Sequence, residues 1–318
     1  MELKRVVVTG LGAITPLGNT LAETWEGLIN GKSGAGPITH FDASKFKTHF
    51  ACEVKGFDPL EVMDRKEARK CDRYSLLAIS AAKQAVADAA MDLENENKDR
   101  IGVIFAAGIG GIRTFEEEVA GYEKTKDTIG PKFNPFFIPK MIADIAAGHI
   151  SMMYGFRGPN FATVSACASS TNAIADSFNY IRLGKANAIV TGGAEAAIAA
   201  PGLGGFNAMN ALSTRNESPE TASRPYSASR DGFVMGEGAA CLILEEMEHA
   251  LARGAKIYGE IVGAGMSADA YHLTASHPEG LGAKLVLKNA LEDAEMKPEE
   301  IDYMNVHGTS TPVGDISE

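Results

Sequence analysis

At 318 residues, 45% hydrophobic and 22% charged, the chain has the make-up of one large or two medium globular α/β units and excludes a disordered or low-complexity protein. A formal net charge of −11 excludes general binding to nucleic acid or to an anionic membrane, because phosphate contacts need a basic field. No apolar run reaches the roughly 18 residues a membrane span requires, and Val6, Val7 and Val8 are too few for a signal-peptide core, which predicts a cytoplasmic protein.

Residues 5–9 read as a strand running into Gly10-Leu-Gly-Ala-Ile-Thr-Pro-Leu-Gly18, followed by a helix over 21–29 that stops at Gly31. A strand leading to Gly-x-Gly suggests dinucleotide binding, but Thr15-Pro16 stands where the third glycine belongs and the helix begins too late to cradle a pyrophosphate. From 64 to 91 the pattern is helical, with Arg65, Lys66, Arg69, Lys70 and Arg73 at helical spacing on one face. In an acidic protein that face is either a solvated surface paired with Glu67 and Asp72 or a dock for an acidic partner.

Residues 101–107 form a buried strand that opens into Gly108-Ile-Gly-Gly111, whose glycines imply close backbone packing. Residues 138–154 read as a helix containing His149, taken as a packed helix histidine, and 188–194 as another strand with a glycine exit. Two long loops are expected over 202–214 and 223–230, before an apolar strand over 239–244. Strands alternating with helices predict a layered α/β fold around a mostly parallel sheet.

An internal repeat is visible. Ala85-Val-Ala-Asp-Ala-Ala-Met91 precedes the strand 101–107 and a glycine loop; Ala290-Leu-Glu-Asp-Ala-Glu-Met296 precedes a predicted strand over 301–306 and a second glycine-containing loop. Such a repeat predicts a duplicated fold whose halves pack together. The first copy continues to about Leu244, whereas the second runs only to Glu318, so the chain is expected to be a fragment.

Two stretches carry chemistry. Phe161 to Ala166 is β-prone and a helix follows to Gly184, which places Cys167 on the bend between them among Ala166, Ala168, Ser169 and Ser170. The amino end of a helix lowers a thiol pKa and offers N–H donors to a developing oxyanion, so Cys167 is a candidate nucleophile; a buried structural cysteine is the alternative. His307, at the end of the 301–306 strand and followed by Thr309, Ser310 and Thr311, could meet Cys167 if the two repeats face one crevice. A distant Cys/His pair suits nucleophilic acyl transfer. Cys52, Cys71, Cys167 and Cys241 are too scattered for a disulfide framework or zinc site. A metal set from Asp269, His272 and His277 lacks a second shell.

The motifs Arg5-Val-Val-Val-Thr-Gly-Leu-Gly, Ser165-Ala-Cys-Ala-Ser-Ser, Ala211-Leu-Ser-Thr-Arg-Asn, Ser223-Arg-Pro, Arg230-Asp-Gly-Phe-Val, Ser267-Ala-Asp-Ala-Tyr-His and His307-Gly-Thr-Ser-Thr-Pro span the chain. Through them the sequence resembles the β-ketoacyl-acyl-carrier-protein synthases of the thiolase superfamily, closest to the type II condensing enzymes of bacterial fatty acid synthesis. The resemblance implies a thiolase-like duplicated layered fold (α-β-α-β-α) whose second half is incomplete, with 1–254 carrying the nucleophile and 255–318 beginning the other half. It implies Cys167 as acyl acceptor, His307 as one of two active-site histidines, Thr309 and Thr311 as contacts of the phosphopantetheine arm, and Ile109 in the acyl pocket. Arg65, Lys66, Arg69 and Lys70 match the region that docks the acyl carrier protein. The implied reaction is decarboxylative Claisen condensation of an acyl-enzyme with malonyl-carrier, with no metal or redox cofactor, in a homodimer. The family's second histidine, its lysine and its gating loop would follow Glu318, so the 318 residues alone are expected to be inactive. A polyketide ketosynthase and a non-catalytic chain-length subunit are the alternative readings.

Overall fold

The β-branched runs assemble into one sheet in the computed structural model, which describes residues 3–318. In chain order the elements are β1 (Val6–Ile14), α1 (Leu21–Ile29), β2 (Gly36–Pro37), β3 (Phe50–Ala51), α2 (Arg65–Ala68), α3 (Arg73–Ala89), β4 (Ile101–Ala106), α4 (Ile112–Thr125), α5 (Phe137–Met141) and α6 (Ile145–Tyr154). They continue with β5 (Asn160–Phe161), α7 (Ser169–Arg182), β6 (Ala188–Glu195), α8 (Ala200–Ala208), β7 (Gly238–Glu246), α9 (Met247–Ala252), β8 (Gly259–Ile261), α10 (Leu281–Ala294) and α11 (Gly314–Ser317). Six strands pair in the order β5-β4-β6-β7-β1-β8. No described helix is long and apolar enough to cross a membrane.

Side chains alternate across this sheet and define two cores. Val103, Phe105, Val190 and Ile243 face α3 and α6, where Tyr74, Leu77, Ala81 and Ile150 are buried with them. Ile104, Ile189 and Leu244 face the other way, against Phe178 and Ile181 of α7. The layered α/β arrangement is present, but the sheet is not mostly parallel. Only β4 pairs in parallel, with β5 and β6, whereas β6–β7, β7–β1 and β1–β8 are antiparallel. The reason is the connection: β7 is reached from α8 through the long segment 209–237 rather than by a crossover helix that would impose parallel direction.

Gly10 and Gly12 lie inside β1, not in a loop. A Cβ on Gly10 would stand 2.3 Å from the Ala85 carbonyl oxygen, and one on Gly12 would stand 2.1 Å from that of Ala81. The glycines therefore let the strand cross α3 at backbone contact, which removes any phosphate-binding reading. The second copy repeats this crossing. Cβ atoms on Gly263 and Gly265 would meet the carbonyl oxygens of Ala290 at 2.8 Å and Val286 at 2.2 Å on α10. The duplication thus extends to the close crossing of backbone over helix, one step beyond the helix motif visible in the sequence.

Four local expectations are corrected. The helix over 64–91 breaks into α2 and α3, because Asp72 caps α3 by accepting from the Tyr74 N–H at 3.2 Å. Arg73 consequently turns inward, donating to Glu237 through Nε at 2.8 Å and Nη2 at 2.6 Å. The helix over 138–154 also breaks, into α5 and α6, where Ile142 adopts an extended conformation and no side chain caps α6. Residues 202–208, part of a stretch expected as a loop, fall in α8 despite three glycines, since close packing overrides propensity: a Cβ on Gly202 would stand 2.2 Å from the Ala197 carbonyl. Residues 301–306 join no ladder among the described residues and leave Tyr303 79% exposed, because no strand lies alongside to satisfy their backbone.

Both ends of β7 are pinned by buried carboxylates. Glu237 holds Arg73 and lies 3.1 Å from the His40 Nε2; Glu245 accepts from Thr9 at 2.7 Å, from Arg253 at 2.8 and 2.7 Å, and lies 2.6 Å from the His249 Nδ1. The guanidinium and imidazole around Glu237 hold its pKa down to about 2 against the opposing effect of burial.

Candidate active site

Cys167 stands on a 3₁₀ turn, residues Ala166–Ala168, that runs directly into α7. Ala166 adopts φ +51°, a left-handed conformation that costs a residue with a Cβ on the order of 1 kcal/mol. Ser169 holds the turn in that state. Its hydroxyl accepts from the Ser165 N–H at 2.8 Å and donates to the Ala166 carbonyl at 2.7 Å, while its own carbonyl accepts from Thr163 Oγ1 at 2.7 Å. Asn172 ties Ser165 into the same knot at 2.7 Å. No side chain caps the first turn of α7, so the positive end of the helix is left for the thiol and for an anion forming beside it.

The helix sits hard against the sheet. A Cβ on Gly193 of β6 would fall 2.0 Å from Ser170 Oγ, so glycine is required for α7, and with it Cys167, to approach the strand ends. Of the four cysteines only Cys167 is exposed; Cys71 and Cys241 are buried and Cys52 is half-buried.

His307 meets this thiol. A side-chain hydrogen bond with His307 is the chief cause of a lowered Cys167 pKa, opposed by partial desolvation and helped by the imidazole charge and the residue's own N–H. The same bond raises the His307 pKa, against desolvation, with the charges of Cys167, Glu318 and Asp315 adding to it. Glu318 also seats the backbone, accepting from the N–H groups of His307 at 2.5 Å and Gly308 at 2.7 Å. By contrast, burial pushes the Cys71 thiol up to about 11 and raises those of Cys52 and Cys241. A thiol pulled down beside an imidazole pulled up is partway to a thiolate–imidazolium pair, the reactive form of cysteine.

Next to His307 opens a cavity of ≈ 190 Å³ lined by Asp269, His277, Gly282, Thr309, Ser317 and Glu318 among others. Thr309 and Thr311 place their hydroxyl oxygens 3.1 Å apart at its edge. On the other side of the turn is the loop of Ile109. A Cβ on Gly108 would stand 3.4 Å from the Ala166 carbonyl, and the N–H groups of Ile109 and Gly110 donate to Glu195 at 2.7 and 3.3 Å. Burial raises the pKa of Glu195, against those backbone donors.

Cys167, His307, Thr309, Thr311 and Ile109 therefore converge on one region. Arg65, Lys66, Arg69 and Lys70 do not join it; with Asn134, Pro135 and Phe136 they line a separate groove of ≈ 550 Å³. Lys70 lies 2.6 Å from Glu67 and sits over the Phe136 ring at 5.6 Å. Asp269, His272 and His277 form no metal set. Asp269 accepts the N–H groups of Tyr271 and His277, and His272 Nδ1 those of Thr274 and Ala275, so these side chains shape local turns. His149, expected to be packing, is half-buried with its Nε2 3.4 Å from Cys71. Glu195 is the site residue that the sequence reading missed, a carboxylate ending a buried strand being the available signal; Ser169 was noted there only as a small neighbour of Cys167, not for its hydrogen bonds.

Comparison with known proteins supplies the rest. The β-ketoacyl synthase N-terminal domain matches residues 3–250 and the C-terminal domain of the same family matches residues 258–318. A Synechocystis protein named 3-oxoacyl-[acyl-carrier-protein] synthase 2 is 50% identical over 100% of this chain and 76% of its own length. A Coxiella burnetii protein of the same name is 48% identical, over 99% of this chain and 75% of its own. Among solved structures, a β-ketoacyl synthase from Burkholderia phymatum superposes with a TM-score of 0.87 at 34% identity, covering 99% of this chain and 76% of that one. A type II polyketide ketosynthase in complex with its acyl-carrier protein reaches 0.89 at 31%, covering 99% and 76%. Two family domains in succession, a shared fold and near-half identity over the whole chain lead to one conclusion: this chain belongs to the β-ketoacyl synthase family.

Proposed function

We propose that the chain is a 3-oxoacyl-[acyl-carrier-protein] synthase that elongates fatty acyl chains, with Cys167 as its nucleophile. The observation that carries this is the exposed thiol at the foot of α7, its pKa lowered by His307. Relatives named for this activity, at 47–50% identity, support the fatty acid reading over the polyketide one, whose structural neighbour is 31% identical. The half over 1–254 supplies the thiol and the half over 255–318 supplies the imidazole.

In the first stage the Cys167 thiolate attacks the carbonyl of a fatty acyl thioester on the carrier protein. The new C–S bond forms, the old one breaks, and the carrier's thiolate leaves, taking the proton that Cys167 had given to His307. In the second stage a malonyl-carrier loses carbon dioxide, and the carbanion left behind attacks the acyl-cysteine carbonyl. A C–C bond forms, the acyl C–S bond breaks, and the Cys167 thiolate is restored. His307 donates a hydrogen bond toward the carbonyl oxygen as charge grows there. Thr309 and Thr311 receive the phosphopantetheine arm, Ile109 borders the acyl chain, and the groove of Arg65, Lys66, Arg69 and Lys70 receives the carrier's acidic surface. No metal or redox cofactor enters, since decarboxylation supplies the driving force. Four free cysteines suit a reducing cytoplasm, and exposed Phe115, Phe133 and Ile138 suit a homodimer interface.

Competitive labelling tests the assignment. At pH 7 iodoacetamide is expected to modify Cys167 at least about tenfold faster than Cys52, Cys71 or Cys241, because reactivity follows thiolate fraction, read by peptide mass spectrometry. Cys167→Ala should abolish acylation by an acyl-carrier thioester. Equal labelling of the four thiols would overturn the proposal in favour of a non-catalytic subunit.

A further inference from the structure

The turn that presents Thr309 and Thr311 is not held by its own sequence alone. Ser310, at its centre, is fully buried and adopts φ +67°, a conformation disfavoured for any residue with a Cβ. Beyond Asp315 of the same segment, what fixes it comes from residues 223–232, which belong to the half carrying Cys167. The Arg224 N–H donates to Ser310 Oγ at 3.1 Å and the Gly232 N–H to the Ser310 carbonyl at 3.0 Å. Arg230 then clamps the far side. Its Nε donates to the Thr311 carbonyl at 3.0 Å, its Nη2 to the Pro312 carbonyl at 2.7 Å and its Nη1 back to Ser227 at 2.9 Å.

The clamp is sheltered and electrically balanced. Arg230 Nε lies 3.2 Å from Asp315 Oδ2, with the two side chains 13% and 1% exposed. The other Asp315 oxygen accepts the Ser310 N–H at 3.0 Å, and Oδ2 also takes the Tyr226 N–H at 2.8 Å. Each guanidinium nitrogen has a distinct carbonyl partner, a geometry a single ammonium cannot reproduce.

We propose that Arg230 is a positioning residue for the thioester arm. By fixing the Thr311 and Pro312 carbonyls from across the two halves, it holds the Thr309 and Thr311 hydroxyls where a pantetheine amide meets them. The inference rests on the proposed acyl transfer at Cys167 and adds which residue sets affinity for the arm.

The test follows acylation of Cys167 in a single turnover as a function of acyl-pantetheine concentration, beside iodoacetamide labelling of the same thiol. Loss of a bond that aligns the arm is worth about a tenfold rise in half-saturating concentration for Arg230→Met. Maximal acylation rate and iodoacetamide labelling should each stay within about twofold of wild type, a split that general loosening would not give. Arg230→Lys should show a smaller rise, about threefold, because charge survives and the fork does not. A half-saturating concentration unchanged in both variants, or labelling that falls in parallel with acylation, overturns the proposal. Should Arg230→Met fail to fold by circular dichroism, Arg230→Lys alone decides on the same criterion. The double variant Thr309→Ala/Thr311→Ala separates the two readings. If it leaves the half-saturating concentration unchanged, the arm lies elsewhere; if it raises the value while Arg230 variants do not, only the role of Arg230 is lost.

Discussion

At Cys167 two opposing forces act on one proton. Partial burial favours the neutral thiol, whereas the hydrogen bond to His307 and its charge favour the thiolate, and the second pair wins. Replacing His307 by alanine removes the largest favourable contribution, so the thiol pKa must rise. We expect the midpoint of the pH–labelling curve for Cys167 to move up in His307→Ala, and labelling at pH 7 to drop accordingly; a curve that does not move would separate the two side chains functionally. Cys167 and His307 were legible because the residues around them are small, hydroxylic or glycine, a composition that signals close approach by a substrate. Glu195 and Ser169 were not, because their roles consist of backbone contacts to Ile109, Gly110, Ser165 and Ala166, and backbone partners leave no mark in a side-chain pattern.

The helical elements show where periodicity misleads. The 3.6-residue spacing of the cations over 65–73 suggested one face, but the Asp72 cap restarts the helix, so Arg73 goes to Glu237 while Arg65, Lys66, Arg69 and Lys70 line the groove. Reversing Lys66, Arg69 and Lys70 to glutamate is expected to raise KM for a carrier-bound thioester about tenfold or more, more strongly at low salt. Iodoacetamide labelling of Cys167 should stay unchanged, because the groove shares no lining residue with the cavity at His307. An unaltered KM at low ionic strength would rule out this groove as the dock. The break before α3 depends on a single cap, and α8 on packing; neither has a period to detect.

Across the whole molecule, alternation of strands and helices and the duplicated helix motif made the layered fold legible, while strand direction was hidden in the path of 209–237. That path ends at Glu237, which joins β7 to Arg73 of α3, the Val54 N–H and His40. Its pKa lies near 2, below the usual value of 4.5. The stabilisation is therefore complete above about pH 5 and is lost as pH falls through the folded value, an effect on the order of 3 kcal/mol. Urea midpoints measured from pH 5 to pH 2.5 should fall steeply, and in Glu237→Gln this part of the slope should disappear; equal slopes would show that other carboxylates govern acid unfolding. The paired crossings of β1 over α3 and of 263–265 over α10 carry a further consequence. Each works only while every second residue there lacks a side chain, so an inserted residue ahead of Gly10 would turn Leu11 onto the Ala81 carbonyl with nowhere to go. In these two short stretches neither the glycines nor the number of residues can change, and they act as fixed rulers against which the lengths of all intervening loops are free to drift.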